Sequence, residues 1–302
     1  MAGWIDRWRA ATVVLGLVQE GKVRSAAGRV TTKKFFAVAG TGVLFSPEEN
    51  RNRISWLVTA KHVFFDPDGS WRPSNLSMLF SRSPRKGKAR EVKVPLQLRH
   101  AGRRCWFPHP NEAIDLAWLP LPANLRLSKS GSPSPITSRD LAHTVDLCEG
   151  VPVAVLGYPG AIDLPDSPRM IVRQGIVAWV SPTKPKSERF LIDSHVFPGN
   201  SGSPVFQFAS VMDGEKPPSG KGAAALLGIV TQARIQSFPL LADGKQVELY
   251  LQGGKVSEPL LVPNFLGLGL VEPAYRIKQL LASALAVYQR RKRPGLARKS
   301  RY

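Results

Sequence analysis

Phe197-Pro198-Gly199-Asn200-Ser201-Gly202-Ser203-Pro204, running into the strand-like Val205-Phe206, is the stretch on which the reading of this chain turns. Glycines on both sides of a serine, bracketed by prolines, specify a tight turn that presents one hydroxyl just ahead of an apolar strand. Acyl transfer needs that arrangement. The hydroxyl must reach a carbonyl carbon while backbone N–H groups converge on the oxygen that becomes negative, and glycine permits the required angles and the close approach. Gly199 and Ser201 are the expected donors, with Asn200 completing an oxyanion-binding turn Gly199-Asn200-Ser201. Standing alone, the same residues describe an ordinary hairpin turn.

Two further stretches change that balance. Leu57-Val58-Thr59-Ala60-Lys61-His62-Val63 sets a histidine just past an apolar strand. Ala113-Ile114-Asp115-Leu116-Ala117-Trp118-Leu119 places a carboxylate at the head of another apolar run, where, once buried, it needs a partner such as a histidine N–H.

The three stretches together resemble the trypsin-like, or chymotrypsin-fold, serine peptidases. Thr59 to Val63 is similar to that family's TAAHC or TAAHV histidine motif, Asp115-Leu116-Ala117 to its DIAL-type motif, and Gly199 to Pro204 to its GDSGGP motif; the His, Asp, Ser order and the spacings of 53 and 86 residues also agree. Gly40-Thr41-Gly42, Gly157-Tyr158-Pro159 and Gly228-Ile229-Val230-Thr231 extend the likeness to residues 10–290. The resemblance implies a serine endopeptidase acting on a protein or peptide through an acyl-enzyme. His62 would be the base, Asp115 the group holding its tautomer, and Ser201 the nucleophile, with neither cofactor nor metal. It also implies that Thr231 supports the aspartate from behind. His195 would lie at the base of the specificity pocket, with Thr231, Gln232 and Ala233 along one wall. No acid occupies that base, so Arg and Lys are disfavoured and small or uncharged side chains are expected.

Two departures from the pattern matter. Asn200 stands where digestive relatives carry the aspartate that pairs with a newly cut N-terminus, which makes the chain similar to an intracellular and bacterial GNSG-type branch and predicts activity without N-terminal clipping. Ser203 replaces a second glycine.

The remaining sequence reads as all-β with a C-terminal helix; its strand count fits two barrels or another all-β sandwich, and the resemblance implies two six-stranded antiparallel barrels. Short apolar or alternating runs bounded by turn residues recur at 11–18, 35–45, 55–59, 76–80, 92–98 and 116–119, and again at 152–157, 170–180, 189–193, 204–208, 223–231 and 265–271. The organisation expected is a first barrel over 1–120 carrying His62 and Asp115, a Pro- and Ser-rich linker over 121–139, and a second barrel over 140–272 carrying Ser201. A helix over 273–291 follows, with Ala274, Ile277, Leu280, Leu281, Leu285 and Tyr288 on its apolar face, and then a basic tail over 292–302.

Composition bounds the rest. A chain of 302 residues with 43% hydrophobic content is globular rather than disordered. Cys105 and Cys148 stand far apart without metal-ligand spacing, which fits a reducing compartment and a cytoplasmic location. Arg7 and Arg9 before the apolar run Ala10 to Val18 superficially resemble an export signal, but the run is short and holds Thr12 and Gly16, so it reads as the first strand. The net charge of +20 is concentrated in residues 82–104, with nine basic residues and one acid, and in residues 290–302, with seven basic residues and none. Such segments attract an acidic protein, nucleic acid or an anionic membrane. The alternative function is therefore a catalytically silent trypsin-like fold that binds peptides, or that docks on nucleic acid or membrane. Oligomeric state is not legible, and after the helix too few residues follow for a folded C-terminal peptide-binding domain.

Overall fold

In the computed structural model of the chain the described residues are 3–24, 29–47, 56–66, 68–82, 90–122, 134–142, 147–160, 168–184, 188–207, 225–239, 241–242, 245–246, 250–251, 254–255 and 261–292. The chain opens with a helix, α1 (Gly3–Ala11), then β1 (Thr12–Arg24), β2 (Val30–Phe45), β3 (Trp56–Ala60) and the single turn α2 (Lys61–Phe64). There follow β4 (Asn75–Arg82), β5 (Arg90–Gln97), the small ribbon β6 (Arg99–His100) and β7 (Arg103–Arg104), β8 (Phe107–Pro108) and β9 (Leu116–Pro120). The second half holds β10 (Pro152–Gly157), β11 (Ile171–Trp179), β12 (Phe190–Asp193), β13 (Pro204–Gln207) and β14 (Leu226–Pro239). Two short ribbons come next, β15 (Leu241–Ala242) with β16 (Lys245–Gln246) and β17 (Tyr250–Leu251) with β18 (Gly254–Lys255), before β19 (Leu261–Pro273) and α3 (Ala274–Lys292).

The second half closes as expected into a six-stranded barrel, β10-β11-β12-β19-β14-β13. Alternating inward residues such as Val153, Val155, Val177, Ile192, Val205 and Val271 fill it. The first half keeps to the expected double-barrel plan, as a curled half-barrel rather than a fully closed one. It is a seven-stranded sheet in the order β5-β4-β1-β2-β3-β9-β8, curled over its own core of Val13, Leu15, Leu44, Leu57 and Met78, with no ladder among the described residues joining its two ends. β8 is two residues long and ends in Pro108, which lacks an N–H donor, so it terminates the ladder instead of extending it.

The expected first strand also needs correction, because Ala10 and Ala11 finish a helix. Trp8 is 1% exposed and stacks on Phe206 of β13 at 5.1 Å, Arg7 is ion-paired with the buried Asp140, and the Thr12 hydroxyl donates to the Trp8 carbonyl at 2.8 Å. These contacts override the strand-like run. One apolar cluster therefore crosses the seam between the halves. It joins Trp8 of α1, Phe45, Trp56 and Trp118 of the first sheet, Leu156 and Phe206 of the barrel, and Ile277 and Leu280 of α3.

Part of the expected linker belongs to that seam as well. Ile136 is fully buried, donates its N–H to Leu44 at 2.9 Å and bridges Phe45 in parallel, whereas 123–133 lie outside the described residues. On α3, Ala274, Ile277, Leu280 and Leu281 are buried as the periodicity predicts, but Leu285 is exposed and Ala284, three residues after Leu281, packs inward instead. Residues 83–89 and 293–302, which carry much of the basic charge, lie outside the described residues, as does the side chain of Tyr288. Among the described residues no helix is long and apolar enough to cross a membrane. Cys105 is partly buried, Cys148 is exposed, and both are free thiols.

Candidate active site

Strand pairing brings the histidine to the aspartate. β3 is buried along its whole length and runs antiparallel to β9, with Ala60 opposite Leu116, so the residues just past the end of one strand meet those just before the start of the other. The Lys61 N–H continues that ladder to the Asp115 carbonyl at 3.2 Å. The His62 N–H donates to Asp115 Oδ1 at 3.0 Å, and His62 Nδ1 donates to Asp115 Oδ2 at 2.7 Å. Because an ionised carboxylate only accepts, Nδ1 carries the proton and Nε2 is left as an acceptor. Ser201 Oγ lies 2.8 Å from that Nε2 and donates to it. The turn ahead of Asp115 is held by the Lys61 ammonium on the Glu112 carbonyl at 2.6 Å and by Asn111 Oδ1, which accepts the Ala113 N–H at 3.0 Å.

The serine turn is held as tightly. Gly199 and Gly202 have φ of +94° and +90°, backbone that an L side chain rarely adopts. A Cβ on Gly202 would sit 1.9 Å from the Thr41 carbonyl oxygen, so the glycine is required for contact as well as for conformation. Thr41, fully buried in β2, fastens the turn to the first sheet. Its N–H donates to the Ser201 carbonyl at 2.7 Å, its hydroxyl donates to the Gly199 carbonyl at 3.0 Å and accepts the Tyr158 N–H at 3.2 Å, and its own carbonyl accepts the Thr59 hydroxyl at 2.6 Å.

Asn200, 3% exposed, closes the turn from within: its Oδ1 accepts the Phe197 N–H at 3.1 Å and its Nδ2 donates to Ser203 Oγ at 3.4 Å. Ser203 thus gains a partner where the family pattern has glycine. The Asn200 N–H is committed to the Phe197 carbonyl at 2.9 Å, so Asn200 completes the oxyanion-binding turn without offering a donor of its own. Among the described residues the N–H groups of Gly199 and Ser201 have no acceptor.

Thr231 does not support Asp115 directly. It is the extra residue where the register of β14 against β19 shifts between Val230 and Gln232, and that bulge turns its hydroxyl onto the Leu270 carbonyl at 3.4 Å. What lies behind the aspartate is a polar cluster that the sequence did not single out. Glu272, fully buried at the end of β19, pairs with Arg276 of α3 at 2.5 Å, and its Oε1 has no partner among the described residues. Burial pushes the Glu272 carboxyl up, opposed by Arg276, Arg189 and the backbone amide of Asp115. His109, 3% exposed, accepts the Asn111 N–H on Nδ1 at 3.0 Å and leaves Nε2 unpartnered among the described residues. Burial, with a smaller contribution from the Arg276 charge, holds its imidazole below the usual histidine range.

Of the residues expected to form the pocket, His195 is exposed on the segment after β12, Gln232 is exposed, and Ala233 is partly buried opposite Gly269 of β19. β19 lies between the two groups: the Ser194 N–H donates to the Gly267 carbonyl at 2.9 Å, and Gly267, with φ of +77°, leaves room beside the His195 ring. His195 lines an open depression of about 410 Å³ together with Arg173, Gln174 and Phe197. Arg173 lies far from the serine in sequence and reads there as one more strand residue, so no local signal picks it out.

Residues 40–211, more than half of the chain, match the sequence model of the trypsin-like peptidase domain. No curated protein is similar enough to the chain to match it. With the three motifs in family order, the all-β architecture around them and this match, the chain belongs to the trypsin-like peptidase domain family.

Proposed function

We propose that the protein is a serine endopeptidase whose catalytic triad is His62, Asp115 and Ser201. The observation that carries this reading is the continuous relay from Asp115 Oδ2 through the His62 ring to Ser201 Oγ, with steps of 2.7 and 2.8 Å, ending on a hydroxyl beside two N–H groups that have no acceptor among the described residues. In the mechanism, His62 Nε2 takes the Ser201 proton as Oγ attacks the scissile carbonyl, and later delivers it to the leaving amine. Asp115 keeps the proton on Nδ1 and stabilises the imidazolium. The N–H groups of Gly199 and Ser201 receive the oxyanion. The Asn200 amide, bonded to both Phe197 and Ser203, supports the turn without the aspartate that would pair with a cut N-terminus, so activity needs no N-terminal clipping.

The test is covalent labelling of the unclipped protein with a fluorophosphonate probe. Labelling at Ser201 is expected, abolished in Ser201→Ala and His62→Ala, with turnover lowered about 10⁴-fold in Asp115→Asn. A chain that labels only after removal of its N-terminal residues would contradict the role given to Asn200, and one that never labels would contradict the triad.

A further inference from the structure

The depression beside the serine turn contains a cation with no counter-ion among the described residues. Arg173 stands on β11 opposite Val155, an inward-facing position of the barrel, and its guanidinium reaches the end of the barrel at the His195 to Phe197 segment. One nitrogen, Nη1, donates to the His195 carbonyl at 2.7 Å, and the guanidinium carbon sits 4.6 Å from the centroid of the Phe197 ring. Phe197 is braced in turn by Phe265 at 5.5 Å. The ring contact and the single hydrogen bond hold the guanidinium in place, and it has five N–H donors in all. No carboxylate among the described residues pairs with it. It is partly buried, and burial alone lowers its pKa.

Depression and nucleophile share one hydrogen-bonded turn. The Phe197 N–H donates to Asn200 Oδ1 and the Phe197 carbonyl accepts the Asn200 N–H, with Ser201 the next residue along. The depression lined by Arg173, Gln174, His195 and Phe197 thus adjoins the turn that carries Ser201.

Resting on the serine endopeptidase reading, we infer that this depression receives an acidic side chain, aspartate or glutamate, on the acyl side of the cleaved bond, and that Arg173 is the residue that selects it. A carboxylate takes a planar, charge-assisted pair of hydrogen bonds from a guanidinium held in this way. A neutral side chain leaves the cation half-desolvated and unpaired, and Arg or Lys is repelled by it. The volume of about 410 Å³ accommodates the longer acid, and the net charge of +20 draws acidic peptides toward the protein. An acidic side chain at this position departs from the small or uncharged residue expected from the sequence.

The test uses fluorogenic peptides identical except for Glu, Asp, Gln, Ala, Leu or Arg before the scissile bond, with active sites counted by the fluorophosphonate probe. For the unmodified protein, kcat/KM for Glu should exceed that for the isosteric Gln by about ten- to hundredfold, the range of one hydrogen-bonded charge pair. In Arg173→Gln that ratio should fall to near unity per labelled site. The Glu-to-Gln comparison in the unmodified protein needs no variant and stands even where Arg173→Gln does not fold. Labelling accompanied by equal or faster cleavage after Gln, Ala or Leu would overturn the acidic preference alone. A Glu preference that survives Arg173→Gln would overturn the role of Arg173, and absence of both labelling and cleavage would overturn the endopeptidase reading and this inference with it.

Discussion

Replacing Thr41 by valine isolates the fastening of the nucleophile turn to the first sheet. Valine keeps the branched shape and the backbone N–H that holds the Ser201 carbonyl at 2.7 Å, but loses the hydroxyl that serves the Gly199 carbonyl at 3.0 Å and the Tyr158 N–H at 3.2 Å. Both stranded groups lie in a site where Thr41 is wholly buried. A buried polar group left without its partner costs about 1–3 kcal/mol, so the two together predict a loss of about 2–4 kcal/mol once some relaxation is allowed. Thr41→Ser keeps the hydroxyl and sheds one methyl group, at about 1 kcal/mol. Urea unfolding of the two variants measures these losses. In Thr41→Val the released Gly199 peptide should also slow fluorophosphonate labelling of Ser201 at least tenfold, equivalent to about 1.4 kcal/mol in the barrier, whereas Thr41→Ser should label near the native rate. A valine variant that unfolds within 0.5 kcal/mol of the parent and labels at its rate would refute the role assigned to the hydroxyl.

Two other expectations are sharp. Gly202→Ala forces a Cβ to 1.9 Å from the Thr41 carbonyl oxygen at φ +90°, so it should yield no folded protein or lower Tm by more than about 10 °C, with labelling lost; Gly102→Ala, at φ +75° with nothing within 4 Å, should cost only the conformational penalty of about 1–2 kcal/mol. Equal Tm values for the two would refute the steric argument. His109 is held neutral in the fold below its ordinary value of 6.5, so the stability it contributes is complete above about pH 6.5 and is lost as pH falls from there toward the folded-state value. His109→Asn keeps an acceptor for the Asn111 N–H and removes the titrating ring, and should flatten the fall in Tm between about pH 7 and pH 5; parallel Tm profiles for parent and variant would count against it.

Much of the fold was legible because its strands are short, apolar and well punctuated. Each of the twelve runs expected as a strand overlaps one of β1, β2, β3, β4, β5, β9, β10, β11, β12, β13, β14 or β19, and the period of α3 was plain. What escaped was decided by tertiary contact. Residues 10 and 11 look like strand by composition but are helix because Trp8 is captured by Phe206 and Arg7 by Asp140. The site divides in the same way. His62, Asp115 and Ser201 sit in motifs whose local residues announce them, and the structure places them within hydrogen-bond reach. Thr231 was misassigned because a β-bulge, invisible in the sequence, decides where its hydroxyl points. Arg173, Glu272 and His109 acquire their roles from partners distant in the chain, and a residue that matters only through such partners carries no local mark.

Among the described residues, the apolar seam that unites α1, α3, the first sheet and the barrel ties the two halves to each other. A site whose histidine stands on one half and whose serine stands on the other, with the halves welded in this way, presents a fixed face to what enters it. Adjustment on docking falls to the incoming polypeptide, whose lost freedom weakens binding. Stretches already extended and loosely held in their parent protein give up least, so on the endopeptidase reading accessible, poorly ordered segments should be cut well ahead of the same residues locked inside a folded domain.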